Sequence, residues 1–384
     1  MNTQLPATTD GPRSTETPAD FAVPRPWTAA RSIHITGWGG VVPEGVLTNE
    51  DLSHLVDTSD EWIRSRTGIA HRRHASVDDR TEDLAAAAGR LALARAGRSP
   101  LDIDLVICTS NTFTSLVPNT SCAVQRALGA DRAAAFDVQS ACTGFIHALA
   151  VASALLREGP YRSALVVAAE IMTRVVDWRD RDSCVLFGDG AGAVVLERSA
   201  MPGGIKTCTL GSDGRLGDLI QLPIGVAAEG FPGHPRANVP VVCLQGREVF
   251  RFASRVVVDF AEALAASAGL PVAAIDLIVP HQANGRILSA AAKQLGLPPD
   301  RLYDCISEFG NTSSASVPLA LDHALRAGRI QPGDLVALSG FGGGLSWGGV
   351  LVEWTAECAV NGTQDLAAGR PQSGSSNPFN KDER

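Results

Sequence analysis

Residues 103–107 read IDLVI, and residues 275–279 read IDLIV. Two further pairs follow in the same order along the chain: LLREG at 155–159 with ALRAG at 324–328, and FGDGAG at 187–192 with FGGG at 341–344. Chance alone can give one such match. Three in a consistent order predict that the chain consists of two duplicated halves, offset by about 156 to 172 residues.

The repeated segments belong to an alternation of predicted strands and helices. Short apolar runs with β-branched residues predict buried strands at 105–109, 163–169, 194–196 and 275–279. Runs with helical periodicity that end at a glycine predict helices at 82–96, 144–158, 248–268 and 315–327. Alternation of this kind predicts an α/β protein whose strands pair largely in parallel.

The composition is that of a globular protein with a large core. Of 384 residues 45% are hydrophobic and 19% charged, and the formal net charge of −8 disfavours nucleic-acid binding. No apolar run is long enough for a transmembrane helix, and the N-terminus lacks a signal-peptide pattern. We therefore expect a cytoplasmic protein that binds neither nucleic acid nor membrane.

The eight cysteines show no spacing typical of a metal site, so we predict no bound metal and expect mostly buried, reduced thiols. Residues 1–30 and 358–384 are rich in small and polar residues and in proline, which predicts two disordered tails. The two halves between the tails are placed at residues 31–203 and 204–357.

Cys142 lies between a predicted strand, Ala133–Val138, and a helix that begins near Gly144. A thiol at a helix N-terminus lies at the positive end of the helix dipole, which favours the thiolate and lowers the pKa of the thiol. Such a cysteine suits nucleophilic attack on a thioester. The alternative is a small buried cysteine without a chemical role.

Two residues of the second half are candidate partners of Cys142. A shift of 169 residues places Cys142 on Asn311, which also precedes a helix, so the two helix N-termini would meet at a pseudo-twofold axis. His281 follows the strand at 275–279, at the carboxyl end where α/β sheets form sites. Each partner has a structural alternative, a hydrogen-bonding His and an N-cap Asn. Together with Cys142 they allow nucleophile, proton-transfer and oxyanion roles.

The two glycine-rich segments differ in what they predict. Gly188–Gly192 lacks the Lys-Ser/Thr of a phosphate-binding loop and precedes a strand, so it gives little support for nucleotide binding. Gly342–Gly344 follows a predicted strand, and its small residues would let backbone N–H groups approach a substrate oxygen. A tight connection between strands is the alternative for this second segment.

Eight motifs follow one another in a fixed order between Ser32 and Trp354: Asp57–Ile63, Arg66–Ile69, Ala141–Phe145, Phe187–Gly192, Gly211–Gly214, Pro280–Asn284, Gly310–Ser313 and Phe341–Gly344. As an ordered set they resemble the β-ketoacyl-[acyl-carrier-protein] synthase III family. The resemblance implies a thiolase fold: two duplicated βαβαβαββ halves about a pseudo-twofold axis, forming a five-layer α-β-α-β-α core.

The resemblance also implies a reaction. Cys142, His281 and Asn311 would form a catalytic triad, with Cys142 taking an acyl group from acyl-CoA. Malonyl on an acyl carrier protein would lose CO₂, with His281 and Asn311 holding the enolate, and the carbanion would attack the acyl group. The product is a 3-oxoacyl carrier protein, which primes fatty-acid or polyketide synthesis. Backbone N–H groups of Cys142 and Gly343 would hold the oxyanion, and no cofactor is implied beyond the two substrates.

The substrate contacts of the family carry over residue by residue. Those implied for CoA and its pantetheine arm are Trp62, Arg66, Arg181, Asn284 and Arg286. Docking of an acidic carrier protein needs a local basic face, which we predict to contain Arg247, Arg251, Arg255 and Lys293. The family also implies a homodimer, in which Val117 occupies a position that shapes the acyl pocket of the partner subunit.

Three features depart from the family pattern: the small side chain of Val117, Phe309 in place of a more polar residue, and a longer segment at 227–239. They would suit a member from specialised metabolism. The main alternative to condensation is acyl transfer through Cys142 to a hydroxyl, an amine or a carrier thiol, without a new C–C bond. A catalytically silent partner of a larger complex and a Cys-dependent hydrolase are the remaining interpretations.

Overall fold

The computed structural model describes residues 31–223 and 241–356, and the structural statements below refer to these residues. The two tails predicted to be disordered and the longer segment at 227–239 lie outside the described residues. The strands are β1 (Ser32–Val41), β2 (Gly45–Thr48), β3 (His71–His74), β4 (Leu105–Thr109), β5 (Ala134–Asp137), β6 (Ser163–Ile171), β7 (Asp189–Ser199), β8 (Gly204–Ser212), β9 (Ile220–Gln221), β10 (Cys243–Leu244), β11 (Leu277–Pro280), β12 (Leu335–Gly342) and β13 (Ser346–Glu353). The helices are α1 (Asn49–Ser53), α2 (Asp60–Thr67), α3 (Thr81–Ala96), α4 (Thr120–Leu128), α5 (Gly144–Glu158), α6 (Arg181–Cys184), α7 (Gly246–Ser267), α8 (Gly285–Leu295), α9 (Ile306–Phe309) and α10 (Ser316–Arg326).

Two sheets organise the described chain. The first has the strand order β1-β7-β6-β4-β5, and the second has the order β11-β12-β13-β8. Pairing is parallel for β4 with β5 and β6 and for β11 with β12, whereas the other pairs in these sheets are antiparallel. The prediction of largely parallel strands is therefore wrong. One reason is local: only residues 343–345 join β12 to β13, and a connection this short forces an antiparallel hairpin.

The helices form three layers that alternate with the two sheets. α5 and α10 lie in the middle and contact strands of both sheets. α3 and α4 cover the outer face of the first sheet, while α7, with α8 packed beside it, covers the second. The predicted five-layer thiolase fold is thereby confirmed. In the second half the counterpart of β5 is a single bridge between Ile278 and Leu302.

The central helix α5 is apolar on most sides because both of its faces are covered. Phe145, Ile146 and Leu149 are fully buried, and Ala148 and Ala152 allow close approach to the sheets. A helix that is hydrophobic all round belongs in a core rather than at a surface. The segment that carries Cys142 is therefore anchored in the most buried layer of the fold.

The duplication has a constant offset of 172 residues over most of its length. β4 and β11 begin 172 residues apart, as do β6 and β12, and as do α5 and α10. At this offset Cys142 corresponds to Ser314, so the predicted equivalence of Cys142 and Asn311 is wrong. The cause is the length of α10, which has 11 residues against 15 in α5. The 169-residue shift came from matching the C-terminal ends of these two helices, and it is therefore shorter than the shift between their N-terminal ends.

Candidate active site

Cys142 lies at a sharp bend between β5 and α5. The preceding residue Ala141 has a left-handed backbone (φ 44°), and a single 3₁₀ turn, Ala141–Thr143, leads into the helix. Position 144 has no room for a side chain, because a Cβ there would lie 1.9 Å from Oγ1 of Thr109. The bend holds Cys142 at the N-terminus of α5, at the cost of one strained backbone conformation.

The end of β12 packs directly against this bend. A Cβ at Gly342 would lie 2.7 Å from Cβ of Cys142, so only glycine fits there. The next residue, Gly343, lines the same cavity as Cys142. The glycine-rich segment is thus both a tight connection between strands and a piece of backbone beside the cysteine.

Asn311 is held by the first half through its backbone. Its N–H donates to the carbonyl of Leu186 at 2.8 Å, and its carbonyl accepts from the N–H of Gly188 at 3.1 Å. Its side-chain Oδ1 accepts from the backbone N–H of Ser313 at 2.9 Å, which leaves the amide nitrogen available to a ligand. The motif at 187–192 therefore braces Asn311, and it does not take the strand–loop–helix form of a phosphate-binding loop.

His281 follows β11 and is almost completely buried, with 2% of its surface exposed. Burial lowers the pKa of His281 to about 3, so the imidazole is neutral at physiological pH. Its Nδ1 lies 2.6 Å from Oγ of Ser316, and that oxygen already accepts from the backbone N–H of Gln282. The Ser316 hydroxyl can therefore donate to Nδ1, which places the imidazole proton on Nε2.

One cavity of about 590 Å³ brings these groups together. Its lining includes Cys142, His281, Asn311 and Gly343. Apolar side chains such as Met172, Leu222, Val242 and Phe250 form much of the remaining wall. The arrangement combines a nucleophile, a neutral imidazole and an amide donor in a mostly apolar chamber, as acyl-transfer chemistry requires.

The predicted CoA contacts lie around the same cavity in different ways. Trp62, Arg66 and Asn284 line it, and the amide nitrogen of Asn284 donates to the carbonyl of Arg66 at 3.1 Å. The guanidinium of Arg181 lies over the Trp62 ring, 4.8 Å from its centroid. Arg286 lies outside the lining and over the ring of Phe250, which itself lines the cavity.

The predicted docking residues form part of the surface next to the cavity. Arg247, Arg251 and Arg255 are exposed on α7, and Lys293 is exposed on the neighbouring helix α8. Arg247 also lines the cavity, whereas Arg255 forms an ion pair with Asp259 at 3.4 Å. The first turns of α7 therefore connect the basic surface to the chamber.

Val117 does not reach the cavity of its own chain. It is 84% exposed on the connection between β4 and α4, next to Leu116, which is 76% exposed. Two neighbouring apolar side chains at this level of exposure are typical of a surface that contacts another chain. The predicted contribution of Val117 to an acyl pocket is therefore not seen within a single chain.

The thiol of Cys142 differs from the prediction in one respect. Burial raises its pKa to about 11, against the lowering effect of a hydrogen bond with Ser313, whose Oγ lies 3.5 Å from the sulfur. We predicted a lowered pKa from the helix N-terminus alone. Desolvation of the thiol outweighs the effect of the helix N-terminus, because the chamber is largely apolar.

Sequence reasoning missed the side chains behind this first layer of the site. Ser316, which orients His281, and Glu170, which lies at the end of β6, were not singled out. A charged residue directly after the apolar run at 163–169 is a signal that could have identified Glu170. In the described ranges there is no cluster of His, Cys, Asp and Glu suited to a metal ion, and none of their helices is long and apolar enough to span a bilayer.

Comparison with known proteins gives a consistent result. Family models described as 3-oxoacyl-[acyl-carrier-protein (ACP)] synthase III match residues 136–214, and those of its C-terminal part match residues 265–354. A β-ketoacyl-[acyl-carrier-protein] synthase III of Roseiflexus castenholzii is 46% identical over 325 residues, covering 84% of this chain and 98% of the relative.

Two solved structures extend the comparison to the fold. The 3-oxoacyl-[acyl-carrier-protein] synthase III of Aquifex aeolicus has a TM-score of 0.79 and 39% identity, covering 84% of this chain and all of its own. The priming β-ketosynthase of the R1128 polyketide pathway has a TM-score of 0.79 and 38% identity, covering 87% of this chain and 98% of its own. These matches span both halves described above.

Proposed function

The chain belongs to the 3-oxoacyl-[acyl-carrier-protein] synthase III family, and we propose that it condenses an acyl group from acyl-CoA with malonyl on an acyl carrier protein. The observation that carries the proposal is the convergence of Cys142, His281 and Asn311 on one largely apolar cavity. We propose a cytoplasmic location, since the reaction needs Cys142 as a reduced thiol.

In the first step the sulfur of Cys142 attacks the thioester carbonyl of acyl-CoA. The C–S bond to Cys142 forms, the C–S bond to CoA breaks, and the thiol proton leaves with the CoA sulfur. We assign the tetrahedral oxyanion to the backbone N–H groups of Cys142 and Gly343, since both residues line the cavity and Gly342, next to Gly343, packs against Cys142. Preorganised donors of this kind are worth about 10² to 10³ in rate each.

In the second step malonyl on the carrier loses CO₂, and the electron pair of the broken C–C bond moves into an enolate. We assign the enolate oxygen to Nε2–H of His281 and to the side-chain nitrogen of Asn311. The carbanion attacks the acyl carbonyl, the new C–C bond forms, and the sulfur of Cys142 is expelled as a thiolate. Solvent water then supplies the proton that regenerates the thiol. Two neutral donors can take up the enolate charge, so we propose no cofactor beyond the substrates.

We propose that the CoA adenine and pantetheine arm use the mouth of the cavity. Trp62 offers a ring face with Arg181 stacked on it, and Arg66 and Asn284 line the passage inward. Arg286 lies at the edge of this passage, over Phe250. Stacking of an aromatic adenine on Trp and Arg planes, with cations near the phosphates, is a common arrangement for such ligands.

We propose that the carrier protein docks on the basic surface formed by Arg247, Arg251, Arg255 and Lys293. Its phosphopantetheine arm would then pass Arg247, which lines the cavity as well as the surface. Complementary charge of this kind speeds encounter with an acidic partner and sets its orientation.

We propose a homodimer formed at the free edge of the first sheet. β5 pairs only with β4 within that sheet, and the exposed Leu116 and Val117 lie on the connection before α4. An open strand edge beside apolar side chains is a surface suited to a second copy. Light scattering at micromolar concentration should give twice the chain mass of 40.1 kDa, and a monomer would contradict this assignment.

Mass spectrometry of the enzyme and of the carrier tests the proposed function. After incubation with a panel of acyl-CoAs and malonyl carrier, we expect an acyl adduct on Cys142 and a 3-oxoacyl carrier product. Cys142→Ser should give neither, whereas Cys122→Ser, which changes an exposed cysteine, should give both. An adduct with unchanged malonyl carrier would indicate acyl transfer to another acceptor. Thioester loss without an acceptor would indicate hydrolysis, and absence of any adduct a silent partner.

A further inference from the structure

Glu170 is a fully buried carboxyl group that the proposed reaction does not use. Its Oε1 accepts from Oγ of Ser314 at 2.6 Å and from Nδ2 of Asn111 at 2.7 Å. Its Oε2 accepts from Oγ1 of Thr112 at 2.9 Å and from the backbone N–H of Asn111 at 3.0 Å. Each carboxyl oxygen thus faces an N–H of Asn111, which can only donate, so both oxygens act as acceptors.

Asn111 also donates a hydrogen bond to Ser313, which lies next to the sulfur of Cys142. The same Nδ2 that donates to Glu170 lies 3.1 Å from Oγ of Ser313. Since an amide nitrogen only donates, Oγ of Ser313 is the acceptor in this contact. The hydroxyl proton of Ser313 is then free to point at the sulfur of Cys142, 3.5 Å away.

The backbone around Ser313 fixes this arrangement. Ser313 has a left-handed backbone (φ 51°), and its N–H donates to Oδ1 of Asn311. Ser314, the next residue, anchors the same turn to Glu170. The turn that follows Asn311 is therefore tied to the end of β6 and to the connection after β4, which holds the backbone that carries the Ser313 hydroxyl in place.

We propose that Glu170 is a positioning residue which, through Asn111, holds the Ser313 hydroxyl as a hydrogen-bond donor to the sulfur of Cys142. The inference rests on the proposed function only for the choice of Cys142 as nucleophile. A donor at the sulfur stabilises the thiolate both when it attacks the thioester and when condensation expels it. Reversal of the chain would turn the Ser313 proton away from the sulfur.

Glu170 also has an opposing effect on Cys142. Burial is the main cause that raises the pKa of the Cys142 thiol; the hydrogen bond from Ser313 lowers it, and the carboxylate charge of Glu170 raises it further. Burial also raises the pKa of Glu170 itself, and the hydrogen bonds that its carboxylate accepts oppose this. Replacing Glu170 removes both effects at once, so a single variant cannot separate them. A double-mutant cycle with Ser313 can, because without the hydroxyl only the effect of the charge remains.

The experiment measures alkylation of Cys142 by iodoacetamide, followed by peptide mass spectrometry at several pH values below the thiol pKa. In that range the rate is proportional to the thiolate fraction. The proteins are the wild type, Glu170→Gln, Ser313→Ala and the double variant. No acyl substrate is present, so the outcome does not depend on whether condensation is the reaction.

We expect Ser313→Ala to slow alkylation of Cys142 about tenfold at a fixed pH, by removing a hydrogen bond to a charged atom. In the Ser313→Ala background, Glu170→Gln should raise the rate, because the like charge is removed and Asn111 has no Ser313 hydroxyl left to orient. With Ser313 present, the ratio of the rate after Glu170→Gln to the rate before it should be about ten times smaller than in the Ser313→Ala background. The substitution can then even slow alkylation, since it also disturbs the hydrogen bond from Ser313. Equal fold-changes in the two backgrounds would overturn the proposal.

A second route breaks the chain while the Glu170 charge remains. Asn111→Ala should slow alkylation about as much as Ser313→Ala and should add nothing in the Ser313→Ala background. An unchanged rate in Asn111→Ala would also overturn the proposal. Ser314→Ala is the matched control, because its hydroxyl binds Glu170 without lying between Glu170 and the sulfur. Ser314→Ala should change the alkylation rate of Cys142 by the same factor in the wild-type and in the Ser313→Ala background.

Two other cysteines serve as internal references. Cys243 is exposed on β10, and its alkylation rate should be the same in every variant. Cys108 is buried in β4, so its alkylation reports loss of the fold. If Glu170→Gln exposes Cys108, the cycle of Asn111→Ala with Ser313→Ala decides the question by itself.

Discussion

The hydroxyl oxygen of Ser316 lies 2.6 Å from Nδ1 of His281 and 2.9 Å from the backbone nitrogen of Gln282. Gln282 uses this oxygen as an acceptor, so the hydroxyl proton is available to Nδ1. A neutral imidazole whose Nδ1 accepts must carry its proton on Nε2. His281 is thereby prepared to donate a hydrogen bond to developing negative charge rather than to remove a proton.

We expect His281 to remain the neutral Nε2–H tautomer from about pH 8 to about pH 5. Burial holds the pKa of His281 near 3, below its ordinary value of 6.5. Between these two values the folded protein binds fewer protons than the unfolded chain, so this residue lowers the stability as the pH falls through that window. NMR of protein with ¹⁵N-labelled histidine measures the tautomer, with His281→Asn to assign the signal. An imidazolium pattern that appears near pH 6.5 would contradict the assignment.

The two steps of the proposed reaction should respond differently to the loss of His281 or Asn311. In His281→Ala and in Asn311→Ala we expect the acyl adduct on Cys142 to form at close to the wild-type rate. Decarboxylation of malonyl carrier should fall about 10²- to 10³-fold, because each variant removes one donor to the enolate. Rapid-quench mass spectrometry measures both steps. His54→Ala, at an exposed site after α1, is the control. Parallel loss of both steps would show that the residues also serve acylation.

The contact of Gly342 with Cys142 should make this position intolerant of any side chain. Gly342→Ala places a Cβ 2.7 Å from Cβ of Cys142, and we expect it to lower the free energy of unfolding by about 1–3 kcal/mol. Formation of the acyl adduct should slow as well, because the bend that carries Cys142 is displaced. At Gly214 the added Cβ meets no atom within 4 Å, so Gly214→Ala should stay within about 0.5 kcal/mol of the wild type. Denaturant unfolding of both variants measures the difference. Equal losses of unfolding free energy in Gly342→Ala and Gly214→Ala would contradict the expectation, because they would mean that β12 shifts without cost.

A buried ion pair joins the two halves, with a predictable pH dependence. Arg95 on α3 donates to the carboxylate of Asp322 on α10, whose side chain is 1% exposed. Arg95→Leu leaves that carboxylate buried without its cation, and we expect a loss of about 3–5 kcal/mol in unfolding free energy. Burial raises the pKa of Asp322 and Arg95 opposes this, so in the variant Asp322 takes up a proton more readily. The folded variant then binds more protons than its unfolded chain, and its deficit should shrink as the pH falls toward about 5.

Urea unfolding at pH 8 and pH 5 measures this dependence. The control is Arg64→Leu, which removes the cation of the solvent-exposed pair with Asp60 and should cost less than about 1 kcal/mol at either pH. A deficit of Arg95→Leu that grows on acidification would contradict the account given for Asp322.

Local patterns in the sequence predicted individual elements well. The strand at 105–109 and the helix at 144–158 have the predicted limits. A short apolar run with β-branched residues marks the strand, and helical periodicity with a following glycine marks the helix. Strand direction was predicted wrongly, since it depends on connections such as the tight turn between β12 and β13. The 169-residue shift failed because α10 is shorter than α5, a difference that the sequence match at their C-termini conceals.

The candidate site divides in the same way. The motif residues Cys142, His281, Asn311 and Gly343 line one cavity, as their places at strand ends and helix starts suggested. The contacts of Glu170 with Ser314, 144 positions along the chain, depend on how the two halves pack. No local pattern reports such a contact. The orientation of Val117 away from its own cavity is likewise a property of the packed chain rather than of its neighbours in sequence.

The middle layer of the fold has a consequence for synthesis on the ribosome. α5, from the first half, packs on β12 and β13 as well as on its own sheet, and the cavity wall runs from Trp62 to Gly343. Chains emerge N-terminus first, so Cys142 leaves the exit tunnel about 200 residues before Gly343. Through that interval the thiol has no chamber to desolvate it and neither of its partners. In a nascent chain Cys142 is therefore not yet desolvated. It becomes part of the buried site only when the β12–β13 hairpin, the last of the described elements to be synthesised, packs on α5.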